Sequence, residues 1–415
     1  MNYCFLQIHT LTSYSASLLN RDDVGFAKRA PFGGTTRTRI SSQCLKRHWR
    51  TAEDENALRN IQLENGLVPM SVRSRRTFEK YVFEPLVARG VNPAVAHAAT
   101  EAILAILLPK GKSQQTESTD TQDEGEKETD LRTPQVTVIG KPEIDYLLSL
   151  AERICSAASD ESAVRKAAEE LDKREQRKNL QTLAHGAGLD ASLFGRMTTG
   201  DVLSRCDAAI HVAHAFTVHE GQFETDYFSA LDDLQGPEET GSGHINTTEL
   251  SSGLFYGNVV VDVPQLVSNL EGCNRTEWLS ADRTLAAEVV RRLVHLIATI
   301  SPGAKRGSTA PYAHASMVMV EAGSRQPRTL ANAFLRAVPL RRAPGRTGDS
   351  YDVLQATYTA LANHIVEYDR MYGSHEHRHL SAQTAPEELV SVCGGSRMTL
   401  AELSEWTAAQ AKVSP

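Results

Sequence analysis

The chain has 415 residues, 41% of them hydrophobic and 23% charged, with a net charge of −7, so it is a globular chain long enough for two or more cores, or for one core with large insertions. MNYCFLQIHTL lacks the basic region and apolar run of a signal peptide, and the longest apolar run (94–108) holds His97 and Glu101 and is too short for a bilayer, so a cytoplasmic chain off the membrane is expected. The six cysteines (4, 44, 155, 206, 273, 393) form no CxxC pair, which argues against a zinc ribbon or a disulfide framework and suits a reducing compartment.

In chain order, CFLQIHTL (4–11) predicts a short strand, with Leu6 and Ile8 on one face and Phe5, Gln7 and His9 on the other. A polar loop with Gly33 and Gly34 is expected next, then a short strand at TRTRI (36–40) and a helix from SSQCLKRHWR. Ser41 or Ser42 can cap that helix, because a hydroxyl accepts from a free backbone N–H; no Glu or Gln follows at the capping-box position. From about 51 to 195 the spacing is mostly helical, as in AVAHAATEAILAILL and IDYLLSLAERICSAAS. The acidic stretch 111–134 has too little apolar surface to order itself and is expected to be a disordered loop. The charge run 164–180 reads as a solvated helix face.

Strand character returns at AAIHVAHAFTVHE (208–220), where Ile210, Val212, Phe216 and Val218 share a face with His214. Residues 232–253 read as a long hairpin or loop, and LFYGNVVVDV (254–263) as a strand ended by Pro264. LAAEVVRRLVHLIATI (285–300) is an amphipathic helix, ASMVMVEAG (315–323) a strand and TLANAFLRAV (329–338) a helix. A helix near 350–370, a His-rich loop and a C-terminal helix complete the chain. Without the helical block, the order is strand, helix, strand, excursion, strand, helix, strand, which fits a ferredoxin-like βαββαβ core with two insertions.

Residues 21–50 hold eight Lys/Arg (Arg21, Lys28, Arg29, Arg37, Arg39, Lys46, Arg47, Arg50) against Asp22 and Asp23, a local +6 that leaves −13 elsewhere. Such asymmetry points to a polyanion partner or to a basic face matching the acidic remainder. Lys46 and Arg50 share a helix face, and the helix start at Ser41, Ser42 and Gln43 offers a phosphate seat, with Arg21, Lys28 and Arg37 extending it. Asp22 and Asp23 are candidate acids for phosphodiester cleavage, or simply turn residues. KGKS (110–113) is no phosphate loop, because Ile106 stands where that motif needs Gly. SHEHRH (374–379) reads as a solvated loop rather than a metal site, and His211, His214 and His219 do not converge. No Ser-His-Asp or Cys-His set can be assigned from spacing.

LNRDD, FGG, RxRISSQ and LKR in residues 19–50, followed in order by FGRMTTG (194–200), AHAFTVH, YFSALDDLQ, GSGHINTTELSSGLFY, PGAK (302–305), SMVMV and LANAF, resemble the CasC family. That family forms the repeated backbone of the type I-E CRISPR Cascade complex and belongs to the RAMP superfamily. The resemblance spans most of the chain, with the helical block and C-terminal region matching in outline.

It implies an α+β fold with a ferredoxin-like, RRM-like palm, helical fingers and a β-hairpin thumb. The expected division is palm 1–50, fingers 51–195, palm strand 196–222, thumb 223–253, palm 254–345 and a C-terminal helical region 346–415. It further implies a non-catalytic subunit that stacks head to tail with further copies along a CRISPR RNA, beside other Cascade subunits, and meets target DNA through guide pairing. By motif position, Arg21, Lys28, Arg37, Ser41, Gln43, Lys46, Arg50 and Lys305 are implied RNA contacts. Met197 is implied as a wedge against bases, and Phe228, His244 and Ile245 as the thumb tip. Thr35 stands where relatives often carry Lys or Arg, with Arg37 as a substitute. No cofactor or metal is implied. The alternative is a RAMP-type metal-dependent endoribonuclease using the loop aspartates.

Overall fold

The computed structural model describes residues 3–64, 66–107, 131–158, 160–171, 173–181, 183, 186–196, 206–230, 244–341 and 351–412. The chain divides into two compact units, one of Met1–Ile61, Ile210–Pro264 and Arg283–Pro415, the other of Gln62–Ala209 and Gln265–Asp282.

The first unit carries a nine-stranded antiparallel sheet among the described residues. Its strands are β1 (Phe5–Ser17), β2 (Arg29–Phe32), β3 (Thr35–Ile40), β4 (Ile210–Val212), β5 (Ala215–Thr217), β6 (Gln222–Ala230), β7 (His244–Asp262), β8 (Met317–Gly323) and β9 (His377–Ala382). The order is β9-β8-β1-β7-β5-β3-β2, with β4 and β6 also paired to β7. Two helices complete the core, α1 (Ser42–Arg50) and α2 (Thr284–Thr299). The chain order β1-α1-β4/β5-β7-α2-β8 and the spatial order β8-β1-β7-β4/β5 are those of the ferredoxin-like βαββαβ core, so the α+β class expected from the sequence is what the chain adopts.

Both sheet faces are covered. On one, Leu45 and Cys44 of α1 pack on Tyr14, Ile40, Ala215 and Phe255. There α2 contributes an apolar stripe of Leu285, Val289, Leu293 and Leu296. On the other, Leu11, Leu254, Tyr256, Met317 and Met319 pack against Leu330, Phe334, Tyr358, Leu361, Ile365, Leu380 and Leu389 from the C-terminal third. Each such side chain fully removed from water stabilises the fold by about 1.5–3 kcal/mol. The two faces of β1 alternate as its sequence predicts, but the Gln7/His9 face is buried as well.

Its Gln7 and His9 side chains are held by hydrogen bonds. Gln7 Oε1 accepts from Arg328 N at 2.8 Å, His9 Nδ1 meets Tyr256 Oη at 2.9 Å, and His9 Nε2 lies 3.1 Å from Glu321 Oε2. Glu321 holds Arg328 through two bonds of 2.5 and 3.0 Å and Arg378 at 2.5 Å. Arg378 in turn holds Asp369 bidentately at 2.6 and 2.8 Å.

The second unit has its own core around Phe78, Val82, Leu86, Ile103, Ile144, Leu147 and Leu150. Its helices include Pro93–Leu107, Lys141–Ser156, Glu161–Glu170 and Lys173–Gln181, as the periodicity predicts, together with the strand pairs Gln62–Leu63 with Gly66–Leu67 and Ser71–Ser74 with Thr137–Gly140. Arg196 grips Glu143 bidentately at 2.6 and 3.0 Å, both side chains fully buried.

Several expectations need correction. β1 runs on to Ser17, and the expected polar loop contains a hairpin, β2–β3. Phe32 pairs with Thr35, and the two intervening residues, Gly33 (φ 61°) and Gly34 (φ 81°), make the left-handed two-residue turn that matches strand twist. A Cβ on Gly33 would also collide with Leu335 O. The strand at 208–220 is two strands, because a one-residue bulge separates the Ile210↔Val261 register from the Phe216↔Tyr256 register. That bulge puts Phe216 on the opposite face from Ile210, against the single shared face expected.

β7 begins at His244, earlier than expected, and Pro264 opens the helix Val263–Glu271 rather than merely ending a strand. TLANAFLRAV is only a short 3-10 turn, Ala331–Phe334. The reason is that Phe334 O accepts from Arg37, and Val338 N donates instead to Val218 O. The His-rich segment is a solvated loop only through its first half: His377–Ala382 is an edge strand, its charge absorbed because Arg378 is neutralised from inside. The acidic stretch, KGKS, Met197 and residues 231–243 between β6 and β7 lie outside the described residues, except that 131–134 is described and places Leu131 and Thr133 in buried positions.

Candidate nucleic-acid interface

The loop from Asn20 to Lys28 is closed by short-range bonds. Lys28 N donates to Asn20 O at 3.0 Å, Asp22 N to Phe26 O at 2.8 Å, and Phe26 N to Asp22 Oδ1 at 2.8 Å. Asp22 is thus a turn residue whose carboxylate accepts from its own loop. Asp23 and Arg21 are exposed, and Lys28 is half-buried. Val24 and Phe26 stand out at the tip, 76% and 52% exposed.

Ser41 caps α1 as expected. Its Oγ accepts from Cys44 N at 3.3 Å, its own N donates to Asn20 Oδ1 at 2.9 Å, and the side chain is buried in that role. Gln43 is exposed, and Lys46 and Arg50 are half-buried on the helix.

Arg37 is the clear correction. It is fully buried, and its guanidinium donates to three backbone carbonyls: Phe32 O at 3.2 Å, Thr217 O at 2.9 Å and Phe334 O at 2.9 Å. Burial pushes this guanidinium down from its ordinary value, with Glu220 pulling the other way. It is a strut that holds the hairpin to the sheet, and it neither meets a phosphate nor replaces a cation at Thr35.

Around α1, Lys28 is joined by cations that the sequence reading did not single out. Burial raises the Cys44 thiol, and Lys28, Arg47 and Arg306 oppose that rise. Burial lowers His48, the hydrogen bond of its Nδ1 to Cys44 O at 2.8 Å opposes the shift, and Arg306 and Arg47 deepen it. Burial also lowers His214, with Arg39 and Lys28 adding to it. Lys28 therefore acts on Cys44 and on His214, and the basic surface runs from Arg39 past Lys28 to Arg47 and Arg306, the last two exposed. Arg47 lay within the basic stretch, but helical spacing favoured Lys46 and Arg50; Arg306 is the residue after PGAK, and only the fold brings it here.

Lys305 leads from this surface to the hairpin. Its Nζ donates to Thr248 Oγ1 at 2.6 Å and lies 5.6 Å from the centre of the Phe228 ring. Two of the expected contacts are thus brought together. Phe228 is 39% exposed and its neighbour Tyr227 62%. Ile245 pairs with Ser229 and His244 with Ala230 at the far end of the described hairpin, with their side chains outside the described residues.

The base of the hairpin is clamped to the loop. Glu249 accepts from Ala27 N at 3.0 Å and pairs with Arg29, whose guanidinium sits 3.7 Å over the Phe223 ring. In the other unit, the bidentate Arg196–Glu143 pair and the bond from Arg196 N to Cys206 O (3.0 Å) anchor the chain immediately before Met197.

Among the described residues, no group of three His, Cys, Asp or Glu side chains is placed to hold a metal ion. No helix among them is long and apolar enough to cross a membrane.

Comparison with known proteins agrees with the motif reading. Over 98% of this chain and 100% of the other, the structure is similar to a chain of a "CRISPR RNA-guided surveillance complex, pre-nicking", with a TM-score of 0.76 and 26% identity. A second similar chain, from a "CRISPR RNA-guided surveillance complex", has a TM-score of 0.64 and 22% identity over 98% of this chain and 99% of its own, and supports the fold. No curated protein matches. A family model described as CT1975-like protein matches residues 6–406, so the chain belongs to the CT1975-like protein family, the CasC-like family that its N-terminal words resemble.

Proposed function

We propose that the chain is a backbone subunit of a CRISPR RNA-guided surveillance complex of type I-E. In this reading it grips the guide RNA by its phosphates and leaves base reading to pairing with target DNA. The observation that supports this is the likeness, end to end, to a chain of a CRISPR RNA-guided surveillance complex; the type I-E assignment rests on the motif resemblance. The basic surface around α1 supports it, because Lys and Arg contacts to phosphate are blind to sequence.

Arg21, Lys28, Gln43, Lys46, Arg50 and Lys305 are the proposed phosphate contacts, joined by Arg47 and Arg306, with Ser41 ordering the helix start. Phe228, His244, Ile245 and Met197 are the proposed wedges that set a regular distortion of the RNA. Copies stack head to tail beside other Cascade subunits, in the cytoplasm. We further propose that the subunit does not cut RNA, a reading supported by the Asp22 carboxylate accepting from Phe26 N.

The test is to sequence the RNA that copurifies with the tagged chain from its own host. Uniform RNAs made of repeat fragments around varied spacers are expected, with protection at a regular interval. Heterogeneous cellular RNA, or none in the presence of partner subunits, would overturn the reading. Metal-dependent release of RNA fragments that is abolished by Asp22→Ala or Asp23→Ala would overturn the non-catalytic part.

A further inference from the structure

The bulge between β4 and β5 places His214 at the surface rather than within a strand face. Ala213 N donates to Asn258 O at 3.0 Å and holds the bulge in place. Arg39 Nη1 lies 3.0 Å from His214 Nδ1, and Arg39 Nε donates to Arg29 O at 3.2 Å. The backbone of Arg39 donates to Lys28 O at 2.8 Å, so the two residues are tied across the hairpin.

An arginine only donates, so Nδ1 of His214 accepts, and the neutral ring carries its proton on Nε2. The charges acting on His214 are Arg39 and Lys28, both positive. Two cations and an outward donor held together are unfavourable until an anion arrives. A purely structural role would need only the Nε bond that ties Arg39 to Arg29, yet the guanidinium also reaches the exposed His214 ring through Nη1.

We propose that Arg39, His214 and Lys28 form a phosphate-binding site at the sheet edge for the backbone of single-stranded RNA. It rests on the guide-holding reading above and adds Arg39 and His214 to the contacts proposed there.

The test uses the full chain and a fluorescein-labelled oligouridylate, with binding followed by anisotropy over a salt series. Arg39→Gln should weaken binding by about tenfold and lower the slope of log K against log salt by about 0.7. In His214→Asn the amide oxygen replaces Nδ1 as the acceptor for Arg39, while the remaining donor, the amide nitrogen, falls short of the Nε2 position; binding should weaken about five-fold with the slope unchanged. That variant sits at an exposed position, so it decides the matter even if Arg39→Gln fails to fold. Lys46→Glu with Arg50→Glu is the reference. If the reference variant weakens while Arg39→Gln and His214→Asn bind like wild type, the site is wrong and the guide-holding reading stands. If wild type binds no RNA, both are wrong.

Discussion

Two regions of the same unit treat positive charge in opposite ways. Around Glu321, two arginines are matched by three carboxylates, those of Glu321, Asp369 and Glu376, all largely buried. Around α1, Lys28, Arg47 and Arg306 act together on Cys44, Arg47 and Arg306 act on His48, and Lys28 with Arg39 acts on His214. The first region ties the C-terminal third to the sheet. The second collects positive charge at the surface, where an outside anion can complete it. A count of Lys and Arg along the chain cannot separate these cases: Arg37 and Arg39 are two residues apart on one strand, yet Arg37 is a buried strut and Arg39 faces a histidine at the edge.

The comparison breaks first if the buried region is dispensable. Glu321→Gln should cost about 3–5 kcal/mol, because it leaves buried cations short of a partner. Urea unfolding checks this, and an unchanged midpoint would show that the network holds nothing. The pH dependence has a definite sign. Burial pushes the Glu321 carboxyl up, but hydrogen bonds and charge from His9 and Arg328 outweigh it and hold it well below its ordinary 4.5. A carboxyl lowered on folding contributes fully above its unfolded value and loses that contribution as pH falls through its folded one. Acid titration of stability should therefore show this component fading only below pH 4.5, and Glu321→Gln should remove it.

The surface region comes next. Lys46→Glu with Arg50→Glu should weaken RNA binding and reduce its salt slope by about 1.4, two phosphates at 0.7 each, with the urea midpoint close to wild type. An unchanged slope would remove both residues from the grip. Glu249→Gln sharpens the contrast, since it releases Arg29 from its carboxylate: the salt slope should rise, by up to about 0.7. Smallest is Ser41→Ala, which removes the cap of α1 and should cost about 1 kcal/mol, read as a lowered Tm.

The local rules of the chain were readable wherever one element decides its own fate. The Ser41 cap, the apolar stripe of α2 and the strand-helix order of the core all follow from short-range spacing. What was not readable depends on distant partners. The 331–338 segment has helical spacing, but Arg37 takes the carbonyl of Phe334 and Val218 takes the N–H of Val338. The bulge before Ala215 comes from registry with β7 and leaves no signal in the alternation. Of the candidate site, the N-terminal cations were found by charge and motif, whereas Arg306 and His214 needed the tertiary fold to bring them alongside.

The covered second face of the sheet has a consequence for competition among guides. With Tyr256, Met317 and Met319 packed beneath Leu330, Phe334 and Tyr358, that face offers bases nothing to stack on. In the proposed role, binding then draws little energy from base identity, so spacers of any composition load with nearly equal affinity. The mixture of assembled complexes would mirror the abundance of the transcripts, and a newly acquired spacer would enter service without the subunit changing to suit it.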